Sequence, residues 1–155
     1  MKAFRFTLES VLTLRQRQEQ VAMSHYAQSL LAHQQASARL EAAQRDLDAG
    51  QQELRGRIAG GFAAAQAAQA QDYILLLEKK RQKCAAELSV AEKRKNFAMQ
   101  TMLAARQQRE VVDKFFERQK KRYDYERARE EQKTLDSLPQ RRVSVLSWNQ
   151  SEEMP

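Results

Sequence analysis

The residues best suited to chemistry in this chain are two histidines, His25 and His33, and a single cysteine, Cys84. The histidines are eight residues apart, which on a helix separates them by two turns and about 80°. Histidines that share a metal on one helix stand four residues apart. Cys84 has no histidine close in sequence to activate it, and a lone cysteine is more often a small buried hydrophobic residue. We therefore predict neither a metal site nor a catalytic nucleophile.

The other chemical motifs are incomplete. Gly60 and Gly61 are adjacent, but the Lys-Ser/Thr pair and the preceding strand of a phosphate-binding loop are missing from the surrounding sequence. Acidic residues such as Glu41 stand four positions before a basic residue such as Arg45, which is the spacing of salt bridges on a helix surface. We expect no enzymatic activity and no cofactor.

The composition indicates long helices rather than a layered globular core. The 155 residues include 4 Gly and 2 Pro, and 30% are charged. All four glycines lie between Gly50 and Gly61, and the Gly60–Gly61 pair is the strongest signal for chain reversal. We predict helix 1 over about residues 8–57, a turn over about 58–63, helix 2 over about 64–138 and a flexible tail over 139–155.

A repeat of seven residues runs through both predicted helices. In helix 1, one stripe recurs every seven residues from Leu12 and a second from Arg15; in helix 2, the stripes begin at Ile74 and Leu77. This period favours a left-handed coiled coil. A short connection makes two long helices antiparallel neighbours. The predicted fold class is therefore all-α, an antiparallel coiled-coil hairpin with a Gly-Gly turn.

The first residues mark the start of helix 1. Thr7 is the predicted N-cap, and Glu9 falls in the first turn, where a carboxylate favours the helix dipole. Phe6 and Val11 have the spacing of a hydrophobic staple. A two-helix hairpin has no third layer to cover its other apolar positions. We therefore expect an open end, opposite the turn, where a partner covers apolar side chains, among them Phe4, Phe115, Phe116, Tyr123 and Tyr125.

The net charge of +7 makes nucleic acid and anionic membranes worth considering as partners. However, the strongest basic segments begin with Glu78 and Glu92, and mixed signs are typical of a solvated helix face. A basic zipper requires a dense basic segment before leucine heptads, and no stretch reaches the ~18 apolar residues of a membrane helix. We expect no nucleic-acid binding and no membrane insertion. A membrane-surface role for residues 4–15 remains an alternative.

Three segments resemble the FliJ family of flagellar type III export proteins. FRFTLESVLTLRQRQE, residues 4–19, is similar to the family's opening pattern of alternating aromatic and basic residues before L-E-x-V-L-x-L-R. YILLLE, residues 73–78, is similar to its segment after the turn, and RYDYERAREEQKTLDSL, residues 122–138, to its C-terminal helix. The resemblance covers about residues 4–138.

This resemblance implies a non-enzymatic hairpin similar to the stalk of rotary ATPases. Its open end would enter a hexameric flagellar export ATPase and promote its assembly and activity. It would also contact the cytoplasmic domain of the membrane export gate and substrate-specific export chaperones. The implied location is the cytoplasmic side of the inner membrane at the flagellar base, and we expect a monomer in isolation. The alternatives are the stalk of a virulence injectisome and a general coiled-coil scaffold or dimer.

The resemblance, together with the apolar residues expected at the open end, assigns candidate residues to two sites. The candidate residues for binding the export gate are Tyr73 and Leu77. ATPase binding falls to residues of the predicted open end, namely Phe4, Phe6, Leu8, Val11, Leu12, Phe115, Phe116, Tyr123 and Tyr125.

Overall fold

The protein consists of two long helices packed against each other. The computed structural model describes residues 3–61 and 63–149, the last twelve of these by their backbone alone. Helix α1 spans Glu9–Ala59 and helix α2 spans Ala64–Asn149. The described residues contain no strand. The helices are antiparallel, so the predicted all-α hairpin is confirmed.

The chain reverses within the predicted turn. The backbone N–H groups of Gly60 and Gly61 donate to carbonyls in the last turn of α1 at 3.2 and 3.4 Å. Gly61 has a φ of 82°, a left-handed conformation that glycine adopts without a Cβ clash. The carbonyl of Ala63 then accepts the first hydrogen bonds of α2, both 3.0 Å long. α1 ends at Ala59, two residues later than predicted, because these glycines complete its final turn.

The start of α1 lies one residue later than expected. The N–H of Leu12 donates to the carbonyl of Leu8 at 2.9 Å. Because the N-cap is the residue whose carbonyl accepts the first intrahelical bond, Leu8 rather than Thr7 occupies this position. Residues 3–6 are not helical.

The end of α2 lies beyond the predicted one near Leu138. The backbone remains helical to Asn149. Pro139 lacks an N–H and so removes one hydrogen bond, yet the helix continues past it. The flexibility predicted for residues 139–155 stays a prediction, and residues 150–155 lie outside the described part of the chain.

The described residues form two packed units, of which the larger comprises residues 16–107. It contains the most buried apolar side chains: Ala22, Ala36, Ala43, Leu47 and Leu77. Three of these five are alanines, which let the two backbones approach closely. Between the helices, the Lys80 ammonium lies 3.2 Å from the Asp46 carboxylate, but both are more than half exposed, so the pair adds little stability.

The predicted seven-residue stripes are confirmed on both helices. Every stripe residue from Leu12 to Leu54 on α1, and from Ile74 to Tyr123 on α2, is buried or half-buried. Cys84 and His33 are half-buried on these stripes. From residue 124 to residue 137, all side chains of α2 are exposed. Within the described residues, neither helix has a segment both long and apolar enough to cross a bilayer.

Candidate partner-binding sites

The second packed unit, called the open end below, contains residues 3–15 and 108–137. Five aromatic rings form a connected row here. The Phe4 ring lies 5.3 Å from the Tyr123 ring and 5.8 Å from the Phe116 ring, measured between centroids. The Phe6 ring lies 5.0 Å from Phe116 and 6.3 Å from Phe115. Both contacts of Phe116 are edge-to-face, the arrangement that ring quadrupoles favour. Phe116 is therefore the centre of the row.

The spacing of these aromatics explains how the row forms. Phe4 and Phe6 are two residues apart, so in a non-helical segment their side chains can face the same side. Phe116 and Tyr123 are seven apart and lie on one stripe of α2. This stretch of the stripe has no α1 helix beside it, because α1 begins at Glu9. The Phe-Arg-Phe segment covers it instead. Phe6 thus fixes the entry of the chain through ring contacts with α2, whereas the sequence suggested a staple against Val11.

The nine predicted ATPase-binding residues differ in exposure. Leu8 and Phe115 are 36% and 42% exposed, and Tyr125 is 70% exposed. The other six are half-buried: Phe4, Phe6, Val11, Leu12, Phe116 and Tyr123. Tyr125 lies two residues beyond Tyr123 on α2 and therefore points away from the stripe. The row of rings thus does not include Tyr125, which lies on the solvent side of α2.

Sequence reasoning missed an apolar position beside this row. Val111 is 69% exposed and lies one helical turn before Phe115, on the same face of α2. Arg118 and Arg122 follow on that face at helical spacing. The sequence contained a signal for this exposed position, because Val111 is an apolar residue that lies outside the seven-residue stripes.

Polar contacts also join the two segments of the open end. The Arg15 guanidinium donates to the side-chain oxygen of Gln108 at 2.7 Å and links α1 to α2. Arg109 and Asp113 form a partly buried ion pair on α2. A partly buried pair is screened less by salt than an exposed one. These contacts add to the apolar packing of the open end.

Farther along α2, Arg127 donates to Glu131 at 2.9 Å. This hydrogen bond and the charge of Glu131, with smaller contributions from Tyr123 and Asp124, raise the pKa of Arg127. The guanidinium already carries its charge at physiological pH. The exposed part of α2 therefore keeps this positive charge under any physiological condition.

The predicted gate-binding residues lie beside Gly50. Leu77 is 6% exposed, and a Cβ added at Gly50 would lie 3.0 Å from its Cδ1 atom. Glycine at this position therefore makes room for Leu77. Tyr73 is 55% exposed, and nearby Leu76 is 64% exposed. Of the predicted pair, Tyr73 is accessible to a partner, whereas Leu77 attaches this segment to α1.

The histidines and the cysteine considered for chemistry differ in burial. His25 is exposed, whereas His33 and Cys84 are half-buried. In the part of the chain that the structure describes, no three His, Cys, Asp or Glu side chains are placed to share a metal ion.

The fold defines the class of the protein, an all-α helical hairpin with large apolar side chains exposed among its described residues. Among solved structures, the chain is similar to a YscO homolog, CT670, from Chlamydia trachomatis, with a TM-score of 0.59. The match has 18% sequence identity and covers 98% of this chain and 100% of that one. It shows a shared fold. No curated protein sequence matches the chain significantly.

The family model of the flagellar FliJ protein matches residues 4–145. The chain therefore belongs to the FliJ family, and the resemblance seen in its sequence is confirmed. This family is a non-catalytic component of flagellar type III protein export. Its export system includes an ATPase and chaperones.

Proposed function

We propose that this protein is the stalk of the flagellar export ATPase. Its open end enters the hexameric ATPase and promotes ring assembly and ATP hydrolysis. It also contacts the cytoplasmic domain of the export gate and the substrate chaperones, at the cytoplasmic side of the inner membrane. The observation that carries the proposal is the apolar surface that the open end leaves exposed, in a chain whose family serves flagellar export.

The exposed residues of the open end suit a protein interface. Phe115 and Val111 offer apolar area on one face of α2, next to Arg118 and Arg122. Aromatic residues and arginine are enriched among the residues that dominate binding energy. The row of rings beneath holds this surface in place before binding, which lowers the entropy lost on association. Half-buried Phe4 and Phe6 thus act mainly by positioning, with their remaining ring surface available to the ATPase.

The proposed mechanism follows from the difference in symmetry between the hairpin and the six-subunit ring. A two-helix hairpin cannot present the same face to six equivalent subunits of a ring. Each subunit would therefore meet a different part of the hairpin. Contacts that differ between subunits bias their conformational states by the difference in binding free energy. This bias is how the hairpin would raise turnover without supplying a catalytic group.

The first test is ATP hydrolysis by the flagellar export ATPase of the same organism, with and without this protein. We expect faster turnover and a larger fraction of hexamer in analytical ultracentrifugation when the protein is added. Unchanged turnover together with no complex would contradict the stalk proposal. A stable dimer of the chain alone would instead favour the coiled-coil scaffold.

Alanine variants of two tyrosines test ATPase binding and gate binding separately. We expect Tyr125→Ala to weaken binding to the ATPase by about tenfold or more, because truncating an interface anchor removes upwards of ~1.4 kcal/mol. Binding to the cytoplasmic domain of the export gate should be unchanged. Tyr73→Ala should have the opposite pattern. Fluorescence titration of both variants against both partners makes this comparison.

The two variants control for each other. Both tyrosines are more than half exposed, at 70% for Tyr125 and 55% for Tyr73, and both replacements favour the helix. Helix content measured by circular dichroism should therefore stay constant. Unaltered binding of both variants to both partners would refute the assignment of these sites.

A further inference from the structure

A groove lies between α1 and α2 within the unit of residues 16–107. Two adjoining depressions form it, and they share Ser29 and Arg94. Six alanines line it and are called the alanine floor below: Ala22, Ala32, Ala36, Ala86, Ala91 and Ala98. Their short side chains let a further chain approach the two helices closely.

Two exposed apolar side chains stand along the α2 side of the groove. Phe97 is 73% exposed, the largest value among the large apolar side chains of the described residues, and Val90 is 50% exposed. They are seven residues apart, so they lie on one face of α2, two turns from each other. Exposed apolar groups gathered beside a groove mark an interaction surface more often than isolated ones do.

The charges around the groove are mainly positive. Arg39, Lys83, Lys93 and Arg94 line it, and Glu87 is its one acidic lining residue among those described. None of these four cations takes part in an ion pair within the described part of the chain, in contrast to Lys80, which pairs with Asp46. A partner that covered the groove would have to supply anions, because burying unpaired cations is unfavourable.

We propose that this groove binds an acidic amphipathic helix of a partner protein. The apolar face of that helix would rest on the alanine floor and against Phe97, and its carboxylates would pair with the surrounding cations. Such a helix extends the hairpin locally to a three-helix bundle, with seams that repeat every seven residues.

The structure of the groove is unfavourable for two other occupants, an extended peptide and a second copy of the chain. An extended peptide binds by adding to an exposed sheet edge, whereas the N–H and C=O groups inside α1 and α2 already bond within their own helices. A second copy of the same groove would bring two sets of cations together, which repels. An acidic partner helix satisfies both the apolar floor and the charge of its rim.

This site is separate from the proposed ATPase contact. The residues that line it lie between Ala22 and Thr101, within the larger unit, whereas the ATPase contact is assigned to the open end. The two proposals therefore stand or fail independently. A groove variant should stimulate the export ATPase as the unchanged protein does.

A designed probe tests the proposal on the full-length chain. The probe is a fluorescent helical peptide of about three heptads, with leucine at the two seam positions and glutamate at the flanking positions. We expect saturable binding by fluorescence anisotropy at ~0.15 M salt, where exposed charges alone are screened beyond roughly 8 Å. Phe97→Ala and Arg94→Glu should each raise the Kd about tenfold or more.

Control variants outside the groove and control peptides show whether binding of the probe depends on the groove. Leu76→Ala and Lys79→Glu make the same kinds of change outside the residues that line the groove, and they should leave the Kd within about twofold of the unchanged value. A probe with lysine in place of glutamate, or with glutamine in place of leucine, should bind at least about tenfold more weakly.

Three results would overturn the proposal. The first is equal binding by the groove variants and their controls. The second is equal binding of the glutamine probe, which would leave only charge attraction. The third is self-association in sedimentation equilibrium that Phe97→Ala abolishes, which would make a second copy the occupant.

Discussion

Replacing Ala43 by leucine is expected to lower the free energy of unfolding by about 2–3 kcal/mol. Ala43 is 1% exposed, the lowest value among the buried apolar residues, and it lies on the seam where α1 meets α2. Leucine adds three carbon atoms at a place where the interior is already closely packed. Overpacking of this kind forces side chains off their rotamers and moves the backbones apart, which typically costs about 1–3 kcal/mol.

The neighbouring residue provides a matched control. Ala42 is exposed, and alanine and leucine have similar helix propensities. Ala42→Leu should therefore change stability by less than about 0.5 kcal/mol. Urea titration followed by circular dichroism compares the two variants. An Ala43→Leu protein as stable as the Ala42→Leu protein would mean that the seam is not tightly packed.

The second large effect is expected from Phe116→Ala. The change removes both edge-to-face contacts at the centre of the ring row, with Phe4 at 5.8 Å and Phe6 at 5.0 Å. Truncating a fully buried phenylalanine costs about 3–5 kcal/mol. Because Phe116 is half-buried, we expect about 2 kcal/mol. Residues 3–6 should lose their attachment to α2.

Hydrogen exchange measures this loss at the start of the chain. Amides near the beginning of α1 should exchange faster in Phe116→Ala, whereas those of residues 16–107 should keep their protection. Phe97→Ala is the matched control, because Phe97 is 73% exposed and its truncation removes little buried area. Unchanged exchange in Phe116→Ala would show that the ring row does not hold the N-terminal segment.

The same variant connects stability to the proposed function. If Phe4 and Phe6 position the surface that meets the ATPase, Phe116→Ala should reduce ATPase stimulation even though Phe116 itself is half-buried. Restoring the ring with Phe116→Tyr should recover much of the effect, because the aromatic contacts return. A full loss of stimulation in the tyrosine variant would argue for a direct role of this position.

Local patterns in the sequence were sufficient for the helices and their seams. The repeats that start at Leu12, Arg15, Ile74 and Leu77 identified the residues that face the partner helix, because a seven-residue period follows from the geometry of two packed helices. The turn was equally local. Gly61 adopts a positive φ in this turn, a conformation that is accessible to it because glycine has no Cβ.

Local patterns in the sequence do not predict features that depend on contacts with the opposite helix. Leu77 matched a proposed contact motif, but it is buried, because Gly50 across the seam leaves space for it. The sequence spacing of Leu77 and Gly50 contains no information about this contact. The end of α2 was predicted near Leu138 because a proline inside a helix removes one hydrogen bond and its ring clashes with the carbonyl one turn earlier. The backbone is nevertheless helical to Asn149.

The sequence by itself thus determined the all-α hairpin, the position of its turn, the stripes along its seam and membership of the FliJ family. These follow from residue periodicity, glycine placement and short motifs, all of which are properties of neighbouring positions. Only the tertiary structure decided which aromatic side chains are shielded. Phe4, Phe6 and Phe116 cover one another, whereas Tyr125 and Phe97 remain exposed, because burial depends on what the opposite segment places against each side chain.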